Sequence, residues 1–480
     1  MTVSHAPAIG YLQKPHCLPI KMHDLETLQR GGYKDATLTK LKLTCPLQTF
    51  PLEIYDLGPS LEQLDLSGTG LSSLPSDFGH SLPNLKIAFF SQCAFSTFPS
   101  ALASCPRLEM VAFRGNSMTV IPEGSLPPQL RWLILTDNKL SSLPKSIAEC
   151  DRLQKCMLAG NHLQTLPDEM QHCKKLGLLR LSSNRLQTLP DWLFNMPELA
   201  FLSFAGNPCS ASEAVALSDD SQLGLAHVNW SELEVQHTLG EGASGIISKG
   251  LWRIDASTTE EVAIKLFRGA LTSDGTPEDE MAAYIAAGQH ENIIDVLGRI
   301  HGHPDEAKGA FKGGLVMQLI PSYYQTLGQP PSLLTCTRDT YPAGARLSVE
   351  NALSILEDIA AAAAHLHYKK VAHGDLYAHN ILTSEDGHAL LGDFGAATVH
   401  GGKVPPLVEK LEVLAFAHLV DDLLGLVAIT TDEQRAVVGR LQNLHQQCSA
   451  KTVPSRPTFK QLLAEVERIQ GGKASSRLPN

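Results

Sequence analysis

The sequence predicts a multidomain chain: a curved α/β solenoid in the first half, then a separate α+β domain in the second. Three observations carry this. A leucine pattern recurs at a near-constant interval from residue 38 to 208, it stops abruptly after Asn207, and a set of glycine, lysine and aspartate motifs follows in a fixed order from residue 228 onward.

The repeat comes first because missing it would mis-assign the whole fold. LEQLDLSGTGLSSLP (61–75), LRWLILTDNKLSSLP (130–144), LQKCMLAGNHLQTLP (153–167) and LGLLRLSSNRLQTLP (176–190) are one pattern. Weaker copies begin at Leu38, Leu85, Leu108 and Leu199, so the start advances by 22 to 24 residues and eight units result. In each unit L-x-x-L-x-L supplies a short strand with alternating inward side chains. The asparagines at 116, 138, 161, 184 and 207 are placed to hydrogen-bond backbone at the bend between coils. An amphipathic helical array fits poorly, because the proline closing each L-x-x-L-P would break it.

The pattern resembles the leucine-rich repeat over roughly residues 38–210, which implies a horseshoe with a concave strand face open to a protein partner. Phe89, Arg114, Trp132, Met157, Arg180 and Phe201 are expected to point toward that face. Residues 1–37, with a short helix in MHDLETLQR, are expected to cap the first coil. Cys105, Cys150 and Cys173 each lie three residues before a repeat-opening leucine, and read as buried apolar filler rather than disulfide partners.

Residues 211–227 are small, polar and acidic, and read as a linker or a cap for the last coil. Gly240, Gly242 and Gly245 then form G-x-G-x-x-G in a β-like run, where the absence of Cβ lets backbone approach phosphate oxygens. A dinucleotide-binding unit would place such glycines between a strand and a helix. Here VAIK (262–265) follows, then a helical EDEMAAYIAAG offering Glu280 as the partner of Lys265, AHGDLYAHNIL (372–382), and DFG (393–395). Glu278 and Glu261 compete with Glu280 for that lysine.

These elements resemble a eukaryotic-type protein kinase over about residues 228–470, a bilobal fold, with 471–480 as a tail. Together with the repeats, the chain resembles the soluble leucine-rich-repeat protein kinases of bacteria. The resemblance implies ATP with Mg²⁺, or Mn²⁺, as cofactor. It implies Asp375, Lys265, Asn380 and His379 as catalytic residues and Asn380 and Asp393 as metal ligands. The nucleotide would lie against Leu239, Gly240, Glu241, Gly242, Ala243, Ser244, Gly245, Ile247, Ala263, Lys265, Glu280 and Leu382, with Met317 at the back of the adenine pocket. Gln318, Leu319 and Ile320 would offer backbone bonds to adenine.

Several positions depart from the family pattern. Gly374 replaces the arginine before the catalytic aspartate, Tyr377 stands where many Ser/Thr kinases keep a lysine, and no A-P-E follows DFG. Without that arginine, control by activation-loop phosphorylation is not expected. His379 sits where tyrosine kinases keep an arginine, and is expected to stand in for the missing cation. Glu412 is expected beneath the catalytic loop and Glu409 beside Arg456.

The resulting expectation is an ATP- and Mg-dependent protein kinase, acting on Ser or Thr, whose repeats recruit substrate or regulator. The alternative is a nucleotide-binding pseudokinase or scaffold; a small-molecule kinase would also suit the short activation segment. A net charge of −11 argues against nucleic acid as a partner. No apolar run reaches about 18 residues and no signal-peptide pattern opens the chain, so a cytoplasmic protein without a membrane span is expected.

Overall fold

A computed structural model describes residues 23–34, 37–211, 225–242, 245–268, 271–305 and 313–471. The chain divides into two compact units: residues 16–199 with 207–209, and residues 200–206 together with everything from 210 onward.

The first unit is a ladder of three-residue strands, paired in parallel from Lys40–Lys42 through Gln63–Asp65, Ile87–Phe89, Met110–Ala112, Trp132–Ile134 and Lys155–Met157 to Leu178–Arg180. The central residue of each strand points inward, and Leu41, Leu64, Ala88, Val111, Leu133, Cys156 and Leu179 are all fully buried. After the strand, the chain turns at the asparagine. Asn161 Oδ1 accepts from Leu140 N (3.0 Å) while its Nδ2 donates to the carbonyls of Leu135 and Leu158 (both 2.9 Å). Asn138, Asn184 and Asn207 reach the preceding coil in the same way.

The prolines behave as helix starters, not breakers: Pro51, Pro99, Pro144, Pro167 and Pro190 each precede a short 3₁₀ turn. Phe78, Phe90, Phe95, Phe98 and Phe113 replace leucines in the middle coils and form an edge-to-face and stacked aromatic core. Cys105, Cys150 and Cys173 are buried thiols, and burial pushes their pKa up to about 12, 12 and 11. The expected N-terminal helix spans Leu25–Gln29, its Asp24 cap accepting from Thr27 N (2.7 Å). Residues 1–22 of the expected cap lie outside the described residues.

Of the six residues expected on an open concave face, Phe89, Arg114, Trp132 and Met157 are half-buried, and the Lys155 ammonium lies 4.3 Å above the Trp132 ring. Arg180 and Phe201 are not open: they are 2% and 0% exposed. Phe201 is in fact part of the second unit.

That unit carries a six-stranded sheet in the order Leu233–Gly242, Gly245–Arg253, Thr259–Phe267, Gly314–Gln318, Val296–His301 and Ala226–Asn229. The last pair is parallel and the rest antiparallel. Val228, Val262, Ile264, Ile300 and Val316 form its buried core, each worth roughly 1.5–3 kcal/mol on burial. The helix Pro277–Ala287 starts at Thr276, whose hydroxyl accepts from Asp279 N; Pro277 occupies the first turn and Glu278, Asp279 and Glu280 face the positive end of the dipole. A helical part follows, built on Val349–Tyr368, Leu407–Leu426, Asp432–Cys448 and Phe459–Gln470. The linker expectation (211–227) and the tail (471–480) fall largely outside the described residues.

Candidate functional site

The two glycine-rich strands form an antiparallel hairpin with register shifts between Val235 and Thr238 and between Thr238 and Gly240. Gly245 has φ +157, and a Cβ there would lie 2.0 Å from the Leu266 carbonyl oxygen, so the hairpin reaches the next strand only with glycine. A Cβ at Gly242 would meet nothing within 4 Å, leaving that backbone open to a ligand. Ala243 and Ser244 lie outside the described residues.

Beneath this hairpin lies a cleft whose open space, solvent included, is about 510 Å³. Ile247, Ala263, Lys265, Tyr284, Ile294, Met317, Gln318, Asn380, Leu382, Gly392 and Asp393 line it. Eight of these eleven were singled out in the sequence. Leu239, Gly240, Glu241, Gly242, Gly245, Glu280 and Leu319 are not among its lining residues.

Glu280 is 1% exposed and forms an ion pair with Lys265, which settles the competition among the three glutamates. Glu261 pairs instead with Lys249 at 2.5 Å. Burial works against the Lys265 ammonium, but the carboxylate of Glu280 outweighs it and holds the pKa above the ordinary value. At the far strand, Gln318 N donates to the Asp295 carbonyl (2.9 Å), so the expected adenine bond from that N–H is not available. Leu319, just beyond the strand end, makes no backbone hydrogen bond among the described residues and is the better candidate.

The loop 373–380 is held from below. Glu412 Oε1 accepts from Gly374 N (2.6 Å) and Oε2 from His373 N (3.3 Å), while His367 Nε2 meets Oε2 at 2.6 Å. Burial opposes the charge of Glu412, yet the His367 contact keeps its pKa below the usual carboxylate range. His373 Nε2 reaches the Gly392 carbonyl (3.0 Å), and its ring meets Phe394 edge-on, which in turn packs on Tyr284. Asp393 adopts φ +52, a left-handed conformation fixed by its side chain accepting from Gly395 N (3.1 Å).

Asn380 donates through Nδ2 to both the Asp375 carbonyl (2.8 Å) and Oδ2 (2.9 Å). Its Oδ1 is buried on the cleft wall with no hydrogen-bond partner. An orphaned amide oxygen beside a carboxylate fits a hard divalent cation, and Asn380 with Asp393 are the residues that would hold it. Among the described residues no group of three His, Cys, Asp or Glu could bind a metal alone, so phosphate oxygens and water would complete the shell.

His379 is held by Asp339: its Nδ1 lies 2.7 Å from Oδ1, and its backbone N donates to Oδ2 (3.2 Å). Burial lowers the imidazole pKa, but the bond to Asp339 and the charges of Asp339, Asp375 and Asp393 raise it overall. Glu409 does not meet Arg456; it accepts from Phe459 N (2.7 Å), and the arginine donates to the carbonyls of Ala450 and Lys410.

Tyr284, Asp339 and His367 escaped the sequence reading. Tyr284 lies one helical turn after Glu280, so an i,i+4 reading could have found it. Asp339 and His367 have no local signal, being 40 and 45 residues from their partners.

Residues 233–403 match the family described as protein tyrosine and serine/threonine kinase. Residues 60–81, 128–186 and 151–208 match leucine-rich repeat families. The chain is similar to fibroblast growth factor receptor 1 of Pleurodeles waltl, 26% identical over 48% of this chain and 34% of the relative. It is also similar to the human serine/threonine-protein kinase TNNI3K (28%, over 35% and 18%) and the rat megakaryocyte-associated tyrosine-protein kinase (29%, over 36% and 32%). The chain thus spans about a third or less of the length of these relatives. It combines leucine-rich repeats with a protein kinase domain, and no helix among the described residues is long and apolar enough to cross a membrane.

Proposed function

We propose that the protein is an ATP- and Mg²⁺-dependent protein kinase that phosphorylates Ser or Thr hydroxyls. The observation that carries this reading is the closed Lys265–Glu280 ion pair on a cleft that Asn380 and Asp393 also line. In the sequence the same residues stand in the order of the protein-kinase motifs, within the span 233–403 that matches the kinase family.

In this reading Lys265 clamps the α- and β-phosphates, with Glu280 fixing the ammonium. Asp375 accepts the proton of the attacking hydroxyl, held in place by Asn380 Nδ2. Asp393 and Asn380 would hold a divalent cation, whose charge would offset that of the phosphates. His379, its pKa raised, supplies positive charge near Asp375, although Asp339 shares that charge. The repeats recruit a protein substrate or regulator, and a cytoplasmic location suits the reading.

The rival reading, a nucleotide-binding scaffold without transfer, draws on Tyr377 in place of a lysine. Incubation with labelled ATP and Mg²⁺, alone and with cell lysate, separates the two. Label incorporated by wild type and lost in Asp393→Asn supports the kinase, whereas Mg-ATP binding without incorporation supports the scaffold.

A further inference from the structure

Residues 200–206 and 210, which the sequence reads as the end of the eighth repeat, belong with residue 211 to the kinase unit. Phe201 is fully buried, and its ring lies parallel to that of Tyr377, centroids 3.9 Å apart and planes 10° from coplanar. Tyr377 stacks in turn on His379 at 4.9 Å. A column of three rings therefore runs through the stretch between Asp375 and Asn380.

The same segment occupies the space a longer residue at 374 would need. Gly374 has φ +72, and a Cβ there would lie 2.8 Å from the Leu202 carbonyl oxygen and 2.7 Å from that of Ala396. Arginine is thus excluded by backbone on one side and by φ on the other. Beyond DFG, Phe204 N donates to the buried Thr398 hydroxyl (3.0 Å), Ala211 N to the Val399 carbonyl (2.6 Å), and Lys403 Nζ to the Ser210 carbonyl (2.6 Å). Val399 and Thr398 pair with Val371 and Ala372, which lead into the catalytic loop.

We propose that residues 201–206 with 210 and 211 form a built-in strap that orders the catalytic loop and the segment after DFG, with Phe201 as its positioning residue. The strap does the work that a phosphorylated activation loop would do through an arginine at 374, and needs no modification to do it. This rests on the kinase reading for its effect on rate, but the ordering can be measured without any transfer.

The test uses the full chain carrying Phe201→Ala, Phe201→Leu, which keeps bulk without a flat ring, or Phe201→Tyr. Lys265→Met serves as the transfer-dead control. Steady-state kinetics on a generic protein acceptor and hydrogen exchange of peptides 371–382, 396–404 and 262–267 are the readouts. Phe201→Ala should lower kcat by about ten- to a hundredfold with KM for ATP changed by less than about threefold, the pattern of a misplaced rather than missing catalytic group. Exchange should accelerate in 371–382 and 396–404 and stay unchanged in 262–267. Phe201→Tyr should restore both readouts and Phe201→Leu should not. If Phe201→Ala does not fold, Phe201→Leu carries the same comparison. Unchanged exchange at 371–382 overturns the strap whatever the rate, and so does acceleration that spreads equally to 262–267. If wild type transfers no more phosphate than Lys265→Met, the kinase reading fails, and the exchange data still decide the strap.

Discussion

The amide of Asn380 spans Asp375, donating to its carbonyl and to its carboxylate at 2.8 and 2.9 Å, and leaves its own carbonyl oxygen buried without a partner. One side chain is therefore proposed to have two separable duties: Nδ2 holding the proposed base and Oδ1 as a ligand of the proposed cation.

Substitution separates them. Asn380→Asp keeps an oxygen for the metal and loses the donor to Asp375, whereas Asn380→Ala loses both. Stabilisation of the full chain by ATP should require Mg²⁺ or Mn²⁺, persist in Asn380→Asp and weaken in Asn380→Ala. Phosphate transfer should fall in both by at least about a hundredfold, the scale for losing one oriented group. Thermal melts with ATP, with and without the metal, check this; equal metal-dependent stabilisation of Asn380→Ala and wild type would remove Oδ1 from the metal site.

The Lys265–Glu280 pair is buried on both sides, so removing one partner strands the other charge in a poorly solvating place. Glu280→Leu should cost about 3–5 kcal/mol of stability, while the double variant Lys265→Met/Glu280→Leu should recover much of it. Both should fail to transfer phosphate. Denaturant melts of the two variants provide the check, and a double variant less stable than the single would contradict the argument.

What the sequence made legible were residues whose role follows from local spacing. Lys265, Asn380 and Asp393 are read from motifs a few residues long and line one cleft, and the repeat asparagines follow from a fixed offset, whereas Gly245, read the same way, packs against Leu266 and does not line the cleft. Phe201, Gln318, Glu409 and Asp339 depended instead on which distant backbone or ring folds against them. A strand position alternates faces with period two, but nothing in LAFLSF tells that its first phenylalanine, Phe201, meets Tyr377 rather than solvent. Gln318 likewise sits at the right place in the chain, yet its N–H is taken by the Asp295 carbonyl, 23 residues earlier, a pairing that no local pattern announces.

The repeat unit yields its own prediction. Asn161 satisfies Leu140 N and two carbonyls from buried positions, and Asn161→Ala would orphan that donor between coils. The loss should be about 1–3 kcal/mol, the penalty of an unpaired buried group. Hydrogen exchange should accelerate first in residues 135–163 rather than throughout the unit. A melt shifted by no more than a conservative surface substitution would show that water replaces the amide.

His379 and Asp339 supply the pH test. The folded-state pKa of His379 is raised, so the protonated imidazole is the form the fold prefers. Its contribution to stability should be complete below the unfolded-state value of about 6.5 and be lost as pH rises through the higher folded value. Asp339 accepts from His379 N as well as facing Nδ1, so Asp339→Asn should keep the backbone bond while removing the charge that raises the imidazole. If the imidazolium also assists transfer, kcat of the wild type should decline over the same interval, and Asp339→Asn should move the decline to lower pH. His379→Gln should remove the pH step from both stability and rate while lowering kcat by about ten- to a thousandfold. NMR titration of the His379 ring alongside pH–rate profiles provides the measurement. A rate that ignores the titration would leave His379 as a support of the loop, its charge spent on Asp339, and Lys265 with the bound metal as the counter-charge for the transferring phosphate.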